Sequence, residues 1–531
     1  MEKQPVVFVA FKEYDNLGVG YISAVLSDRG YDAIIIDFDI GKEEILNILK
    51  SLDPLLVGFS VIFQFNIDRF KELITYLREN GIKCHFTAGG HYASLRFEEL
   101  FELIPSLDSI VRFEGEYTTL ELIKSLQTGA AWTNTEGIAY RNDWKIIANQ
   151  LRHPEEDLDK FPYPLRSEPE EYAFGYRFAT IISGRGCIHD CAFCNLKEFF
   201  RRYNGPVKRL RKPELVVEEM EFLYNETGCS VFLFQDDDFP VKLSKETGWI
   251  ERFCYELQSR GLGEKIMWKI NCRPDEVEEK TFSLMKKNGL FLVFLGIEDG
   301  TDAGLKRLNK KMTIAASLEG IATLKRLKIG FDFGFILFQP RTSYRSLNDN
   351  IDFLKKVCGD GYTPVTFLKM IPFYETRVEK ELISEGRIKG EPGYKYFDFL
   401  EESMDHFYKF IAEAFAEWLY YPDGLVNISK WARNYFAVYL HYYGSSPEVS
   451  FLSSNIKKII SESNSFLLDK MKELAEIFEA RQYGNDQLTL LESHSDCIAA
   501  KHEDYKSQIH DTIGRLLRQN IKRQVYIQLP F

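Results

Sequence analysis

Two series of short β-rich runs, each separated from the next by an amphipathic helical pattern, constrain this chain more than any other feature. Between residues 5 and 127 the runs are VVFVAF, DAIIIDF, PLLVGFS, KCHFTAGG and DSIVRF, with segments such as NIDRFKELITYLREN between them. Alternation of this kind builds a parallel sheet with helices on its faces, because parallel neighbours need a long crossover and that crossover is usually a helix. The expectation for residues 1–150 is a five-stranded α/β layer, Rossmann-like or flavodoxin-like, followed by EGIAYRNDWKIIAN, two strands around an Asn-Asp turn. A proline- and acid-rich connector, HPEEDLDKFPYPLRSEPEE, places a linker at 151–174. The second series is RFATIISG, SVFLFQDDD, KIMWKIN, LFLVFLGIED, GFDFGFILFQP and VTFLKMIPF. Six strands within 175–385 suit a partial (β/α)6 barrel, with chemistry gathered at the strands' C-terminal ends. From 386 to 531 the alternation stops and a helical C-terminal domain is expected. In ESMDHFYKFIAEAFAEWLYY, Phe407, Phe410, Ile411, Ala414 and Phe415 recur at helical spacing, which core packing explains.

Charge and cysteine usage narrow the function classes. A net charge of −12 and a sequence pI near 5.5 repel polyanions, so no nucleic-acid partner and no anionic membrane surface are expected. The basic stretch KRLRK (Lys208 to Lys212) is expected to be the solvated start of a helix. The opening MEKQPVVFVAF reads as a strand rather than a signal peptide, and no apolar run approaches the roughly 18 residues of a membrane helix, so no transmembrane segment is expected. Nine cysteines are few for a secreted disulfide scaffold of this size, which points to a reducing cytoplasm. Six of them, Cys84, Cys229, Cys254, Cys272, Cys358 and Cys497, stand singly and are expected to be small buried hydrophobes.

The other three are clustered. GRGCIHDCAFCNL sets Cys187, Cys191 and Cys194 in a C-x3-C-x2-C run directly after the first strand of the second series. Three thiolates on one loop can cap three corners of a [4Fe-4S] cube and leave the fourth iron open, whereas a purely electron-transferring cluster usually takes four cysteines. A zinc site completed by His189 is the competing reading. The run, its aromatic Phe193 and the strand before it resemble the radical S-adenosylmethionine family. The resemblance implies that the open iron chelates S-adenosylmethionine and that one electron cleaves the sulfonium to a 5'-deoxyadenosyl radical. Carried over by position, it implies that Phe193 flanks the adenine and that Gln235, Asp236 and Asp237 of FQDDDF meet the methionine amino group. Arg273 of NCRPD would pair with the methionine carboxylate, and Glu298 of GIEDG with the ribose hydroxyls. In FGFILFQP the family's Gly-x-Ile-x-Gly survives only as Gly334 and Ile336, with Phe338 at the second glycine. A barrel-rim hydrogen bond is the alternative role for each of these polar side chains.

In the first series, Asp15, Leu17 and Gly20 trace a D-x-H-x-x-G loop with leucine in place of histidine. Ser60 and Ile62 then match an S-x-L, and Gly89 with Gly90 a GG pair. Together with RFEGEYTTLELI (112 to 123), this resembles the cobalamin-binding domain of the cobalamin-dependent branch of the same family. The resemblance implies a buried nucleotide tail and a cobalt whose lower face receives no histidine. Gln64 is a side chain that could approach that face, or a loop-packing group. A cofactor-free flavodoxin-like layer is the alternative for the whole domain. Methylthiotransferases also place a domain before this barrel, but with three more cysteines, whereas only Cys84 lies in this one. The implied reaction is methylation of an unactivated carbon of a small molecule, peptide or lipid, with the cobalamin layer facing the barrel mouth and a flavodoxin- or ferredoxin-type electron donor. Cobalamin-dependent rearrangement, cyclisation or ring contraction without net methyl transfer is the second reading, and a redox-sensing protein without turnover the third.

Overall fold

Val6–Ala10 is buried at every position, as a strand covered on both faces must be. In the computed structural model, which describes residues 4–12, 15–202, 205–480 and 487–521, it sits inside a seven-stranded sheet. The order is Ala33–Asp37, Val6–Ala10, Leu56–Ser60, His85–Gly89, Ser109–Val111, Ile138–Asn142, Lys145–Ala148. The first five are parallel and the last two antiparallel. This is the expected flavodoxin-like layer, with the Asn-Asp hairpin continuing the same sheet; Asp143 takes the left-handed conformation its turn needs. The intervening helices bury one stripe each. Ile67–Glu79 turns Phe70, Ile74 and Leu77 inward, into a core with Phe59, Phe86 and Ala88 on one sheet face, while Val6, Phe8 and Leu56 found a second core on the other.

Packing divides the chain into two compact units that are not collinear with its sequence. The first comprises Met1–Pro169, Thr180–Glu219 and Ile371–Tyr396, so it holds the seven-stranded sheet and also the cysteine loop. The second comprises Glu170–Ala179, Met220–Met370 and Phe397–Phe531.

The second unit is built on another seven-stranded sheet, ordered Leu368–Lys369, Gly330–Phe338, Leu290–Glu298, Met267–Cys272, Cys229–Phe234, Tyr176–Ile181, Glu171–Ala173. All six expected barrel strands are present, the sixth only two residues long, and Glu171–Ala173 adds an antiparallel edge. Strand faces alternate as period two requires. In Gly330–Phe338, Phe331, Phe333 and Phe335 are buried, and Phe335 stacks on Phe353 of the helix Tyr344–Cys358, so Asp332 and Gly334 lie on the opposite, concave face.

The helical C-terminal domain consists chiefly of Glu402–Ala414, Leu425–Tyr443, Pro447–Glu479 and Gln487–Ile521. Phe407, Ile411 and Phe415 are buried as expected, while Phe410 is half-buried. Leu425–Tyr443 lies across the N-terminal ends of the barrel strands. Tyr442 donates its hydroxyl to Ser230 O and Lys265 O at 3.2 Å each, Arg433 reaches Phe331 O at 2.7 Å, and Trp431 and Tyr435 pack on Tyr172 and Phe174. Backbone carbonyls at strand starts need such partners when water is excluded. Of the single cysteines, Cys229, Cys254, Cys272 and Cys358 are buried as expected. Cys84, in the loop before its strand, is half-buried, and Cys497, on the outward side of the last helix, is exposed.

Asn464, on Pro447–Glu479, accepts from Val365 N at 2.8 Å and donates to Cys358 O and Thr363 O at 2.8 and 3.0 Å. It thereby fixes the loop that leads into the sixth strand. Asn464→Ala leaves three buried backbone groups without partners and should destabilise the second unit by about 3 kcal/mol, read as a lowered urea midpoint.

Candidate active site

The cysteine loop is anchored at both ends. Before it, Gly184–Gly186 pairs antiparallel with Lys208–Leu210. Gly186 has φ +93°, and a Cβ there would lie 1.9 Å from Val207 O, so only glycine brings the strand this close just before Cys187. After the loop, Leu196–Arg201 forms a short helix that buries Phe199 and Phe200. Within the loop, Cys194 N donates to Cys191 O at 3.3 Å. Lys197 at 2.7 Å and Arg377 clamp Asp190; burial raises this carboxyl's pKa, but the two cations outweigh it and hold the value below the ordinary one. Cys187, Cys191, Cys194 and Phe193 are all half-buried. Three thiols on one anchored loop match the donor chemistry of an iron–sulfur cluster with one iron left open.

Buried ion pairs tie this loop to the first sheet. Arg185 donates to Glu116 at 2.6 Å, lies 3.5 Å from Glu114, and covers the rings of Tyr21 and Phe161. Burial opposes its charge, yet Glu116 and Glu114 outweigh burial and raise its pKa. Arg209 forks onto both oxygens of Glu114. Arg211 meets Glu219 at 2.5 Å, and Arg166 meets the same carboxylate. KRLRK is therefore not the solvated start of a helix. Lys208–Leu210 is a strand; Arg209 is turned inward by the distant Glu114, and Arg211 by Glu219 in the helix that follows.

The residues matched to the cobalamin motifs gather at the C-terminal ends of the first sheet's strands. Asp15, at φ +61°, accepts from Ser167 N at 3.1 Å and Thr180 Oγ1 at 3.0 Å. Leu17 is buried and opens the helix Leu17–Asp28, whose cap Asn16 reaches Ser60 Oγ at 3.4 Å. Against Gly20 lies Leu165 O, which a Cβ there would meet at 2.4 Å. Gly90 has φ +107°, and its Cβ would strike Val61 O at 2.7 Å; Gly89 ends its strand beside it. Ile62 O accepts the Tyr374 hydroxyl at 2.8 Å. Gln64 is buried and clasps one backbone stretch with both ends of its amide, Nε2 to Pro372 O at 3.5 Å and Oε1 from Tyr374 N at 3.2 Å.

In the second unit, Gln235 and Asp237 are exposed and Asp236 is buried, its carbonyl accepting from Asn271 Nδ2 at 3.0 Å. Arg273 is buried and forks onto Asp275 at 2.8 Å through both Nε and an Nη. Glu298, at φ +69° on a bulge, points over Gly334 and lies 3.6 Å from Lys310. Ile336 is buried, and Phe338 packs among Phe367, Phe399, Phe407 and Tyr408. The second family glycine is thus replaced by a core aromatic that the C-terminal helices cover.

Residues 3–123 match the B12 binding domain family, and residues 181–354 match the radical SAM superfamily, together more than half of the chain. The chain belongs to the cobalamin-dependent radical S-adenosylmethionine enzymes. The cofactors of such an enzyme are cobalamin, S-adenosylmethionine and a [4Fe-4S] cluster. Among relatives of this radical enzyme, an anaerobic magnesium-protoporphyrin IX monomethyl ester cyclase of Rubrivivax gelatinosus is 30% identical over 68% of the chain. An uncharacterized methyltransferase of Pyrococcus horikoshii is 26% identical over 64%. The chain spans 66% of the length of the first and 73% of the second. Its fold matches that of the cobalamin-dependent radical enzyme OxsB with aqua-cobalamin bound, at TM-score 0.69 and 17% identity, covering 97% of this chain and 84% of that one. It also matches the radical methyltransferase TsrM of Kitasatospora setae, with tryptophan and a SAM analogue bound, at TM-score 0.65 and 14% identity, covering 87% and 100%.

Sequence reasoning missed Glu114, Glu116, Arg185 and Arg209. Their signal was the pair of acids around Gly115 and an arginine beside the first cysteine. Glu116→Gln should leave Arg185 with Glu114 at 3.5 Å as its carboxylate and lower stability by about 2 kcal/mol. Adding Arg185→Gln should return part of that loss, measured as a double-mutant cycle in urea.

His91 gives a pH test. Its ring packs 4.0 Å from that of Phe199, and burial pushes its pKa down to about 4. Above the unfolded value near 6.5, both states carry it neutral and its contribution is complete. As pH falls from there towards 4, the unfolded chain binds the extra proton and stability drains, at up to about 1.4 kcal/mol per unit. His91→Phe should flatten the slope of urea stability between pH 6.5 and 4.5 relative to the parent chain.

Proposed function

We propose that this enzyme methylates an unactivated carbon of a small molecule or peptide. When bound, the cluster and S-adenosylmethionine supply a 5'-deoxyadenosyl radical, and cobalamin supplies the methyl group. The observation that carries the reading is the placement of the cysteine loop and the B12-binding layer in one compact unit, clasped by Arg185, Arg209, Glu114 and Glu116. Two cofactors that serve one substrate atom need a fixed separation, since proximity supplies much of the rate.

Cys187, Cys191 and Cys194 would hold the cluster, and Phe193 would flank the adenine. Gln235, Asp236 and Asp237 would meet the methionine amino group, Arg273 its carboxylate, Glu298 the ribose and Ile336 the adenine. Arg273 already gives its Nε and one Nη to Asp275, which fixes the direction of the guanidinium. On the cobalamin side, Gly89 and Gly90 let a bulky tail approach the backbone, while Asp15, Gly20, Ser60 and Ile62 would frame it. Leu17 offers no lone pair where the family's histidine stands, and the Gln64 amide is engaged by Pro372 and Tyr374. A flavodoxin- or ferredoxin-type protein would deliver the electron. No helix among the described residues is long and apolar enough to cross a membrane.

The cyclase relatives favour a second reading, a radical ring closure or rearrangement without net methyl transfer. Anaerobic turnover separates the two. Equal amounts of S-adenosylhomocysteine and 5'-deoxyadenosine support methylation, and deoxyadenosine without the homocysteine product supports the second. Replacing any of Cys187, Cys191 or Cys194 by Ala should reduce deoxyadenosine release at least 100-fold and lower bound iron per chain.

A further inference from the structure

The concave face of the barrel sheet carries an uncompensated cation. Lys269 is the third residue of Met267–Cys272, half-buried on the face away from the helices, as are Asn271 and Asp332, while Phe294 on the same face is exposed. Register places Asn271 opposite Phe294, and Phe294 opposite Asp332. Lys269 Nζ donates to Asn271 Oδ1 at 2.6 Å and stands 5.8 Å from the centre of the Phe294 ring. Among the described residues it has no carboxylate within ion-pair distance. Asp332 is the acid that bears on it, and Arg433 already holds that carboxylate at 2.9 Å. Two cations around one carboxylate leave one positive charge over. Burial lowers the Lys269 pKa, so the ammonium gains from any anion brought to it.

The surroundings suit a ligand rather than a packed core. Phe294 keeps 38% of its surface exposed in mid-strand, where its neighbours Val293 and Leu295 are buried. Gly296 and Gly334 face each other one step further towards the rim, and the Glu298 carboxylate and Lys310 ammonium lie over them. Lys310 neutralises Glu298. Lys269 is four residues below Arg273, about 13 Å along an extended strand, and Arg273 gives its Nε and one Nη to Asp275. Below it, Arg433 comes from the helix that closes the barrel floor.

We propose that Lys269 and Phe294 form the substrate anchor of this enzyme, an ammonium and a ring face that take a ring-bearing small molecule through its acidic group, a carboxylate or a phosphate. The assignment rests on the radical reading for what is done to that molecule, but the anion site has its own test. Benzoate, phenyl phosphate and the neutral benzamide are titrated into the full-length reconstituted enzyme and followed by ligand-observed NMR. Benzoate or phenyl phosphate should bind at least tenfold more tightly than benzamide, and whichever is tighter identifies the acid. Lys269→Met should abolish the preference, Lys269→Arg should keep it, and Phe294→Ala should weaken the preferred anion. Affinity of Lys269→Met for S-adenosylmethionine should stay within twofold of the parent. Equal binding of all three probes by the parent enzyme overturns the proposal, and that comparison decides even if a variant does not fold. A tenfold loss of S-adenosylmethionine affinity in Lys269→Met overturns it too, because the ammonium would then hold the methionine. Failure of the parent to release 5'-deoxyadenosine would overturn the radical reading instead, with the titrations still scoring the anion site.

Discussion

Arg185 and Arg209 carry full charges into the interior of the first unit, and Glu114 and Glu116 meet them there, fixing one side of the cysteine loop. A buried guanidinium without a carboxylate costs several kcal/mol, whereas a paired one restricts its neighbours to a single geometry. The strand Gly184–Gly186 and its partner Lys208–Leu210 bracket the thiols, and each supplies one of these arginines. The loop is therefore located by electrostatics from one side and by the aromatic helix Leu196–Arg201 from the other. Asp190, gripped by Lys197 and Arg377, sets the turn in between.

The elements themselves were legible because their signals are local. Period-two burial, apolar runs of five or six residues and an Asn-Asp turn gave the strands of both sheets, and spacing alone singled out Cys187, Cys191 and Cys194. What sequence could not give was pairing. Glu116 and Arg185 are 69 residues apart, Glu114 and Arg209 95, and nothing in the chemistry of either partner names the other. KRLRK departs from expectation for that reason: a basic run is solvated unless acids reach it, and Glu114 and Glu219 do. Gln64 shows the same limit, since the backbone it clasps lies more than 300 residues away.

Departures from the family pattern acquire physical meaning in the fold. Phe338 does not simply lose a glycine; it contributes a ring to an aromatic core that fastens the fifth strand to the C-terminal helices. Leucine at position 17 begins a helix whose buried face supports the sheet, so the position serves packing where a histidine would serve a metal. Asp15 and Gly20, by contrast, keep their identities while touching Ser167, Thr180 and Leu165. In this chain those two residues also moor the connector that follows the first sheet.

Leu425–Tyr443 belongs to the C-terminal helices rather than to the barrel's own β/α series. It seals one end of the barrel using residues more than 100 positions removed from the strands it touches, and Arg433 contributes a charge from it to the interior. Substitutions at Trp431, Arg433, Tyr435 or Tyr442 would reshape the base of the barrel without changing a residue of its strands. Descendants of one ancestral chain could thus vary the base of the barrel while keeping its strands intact.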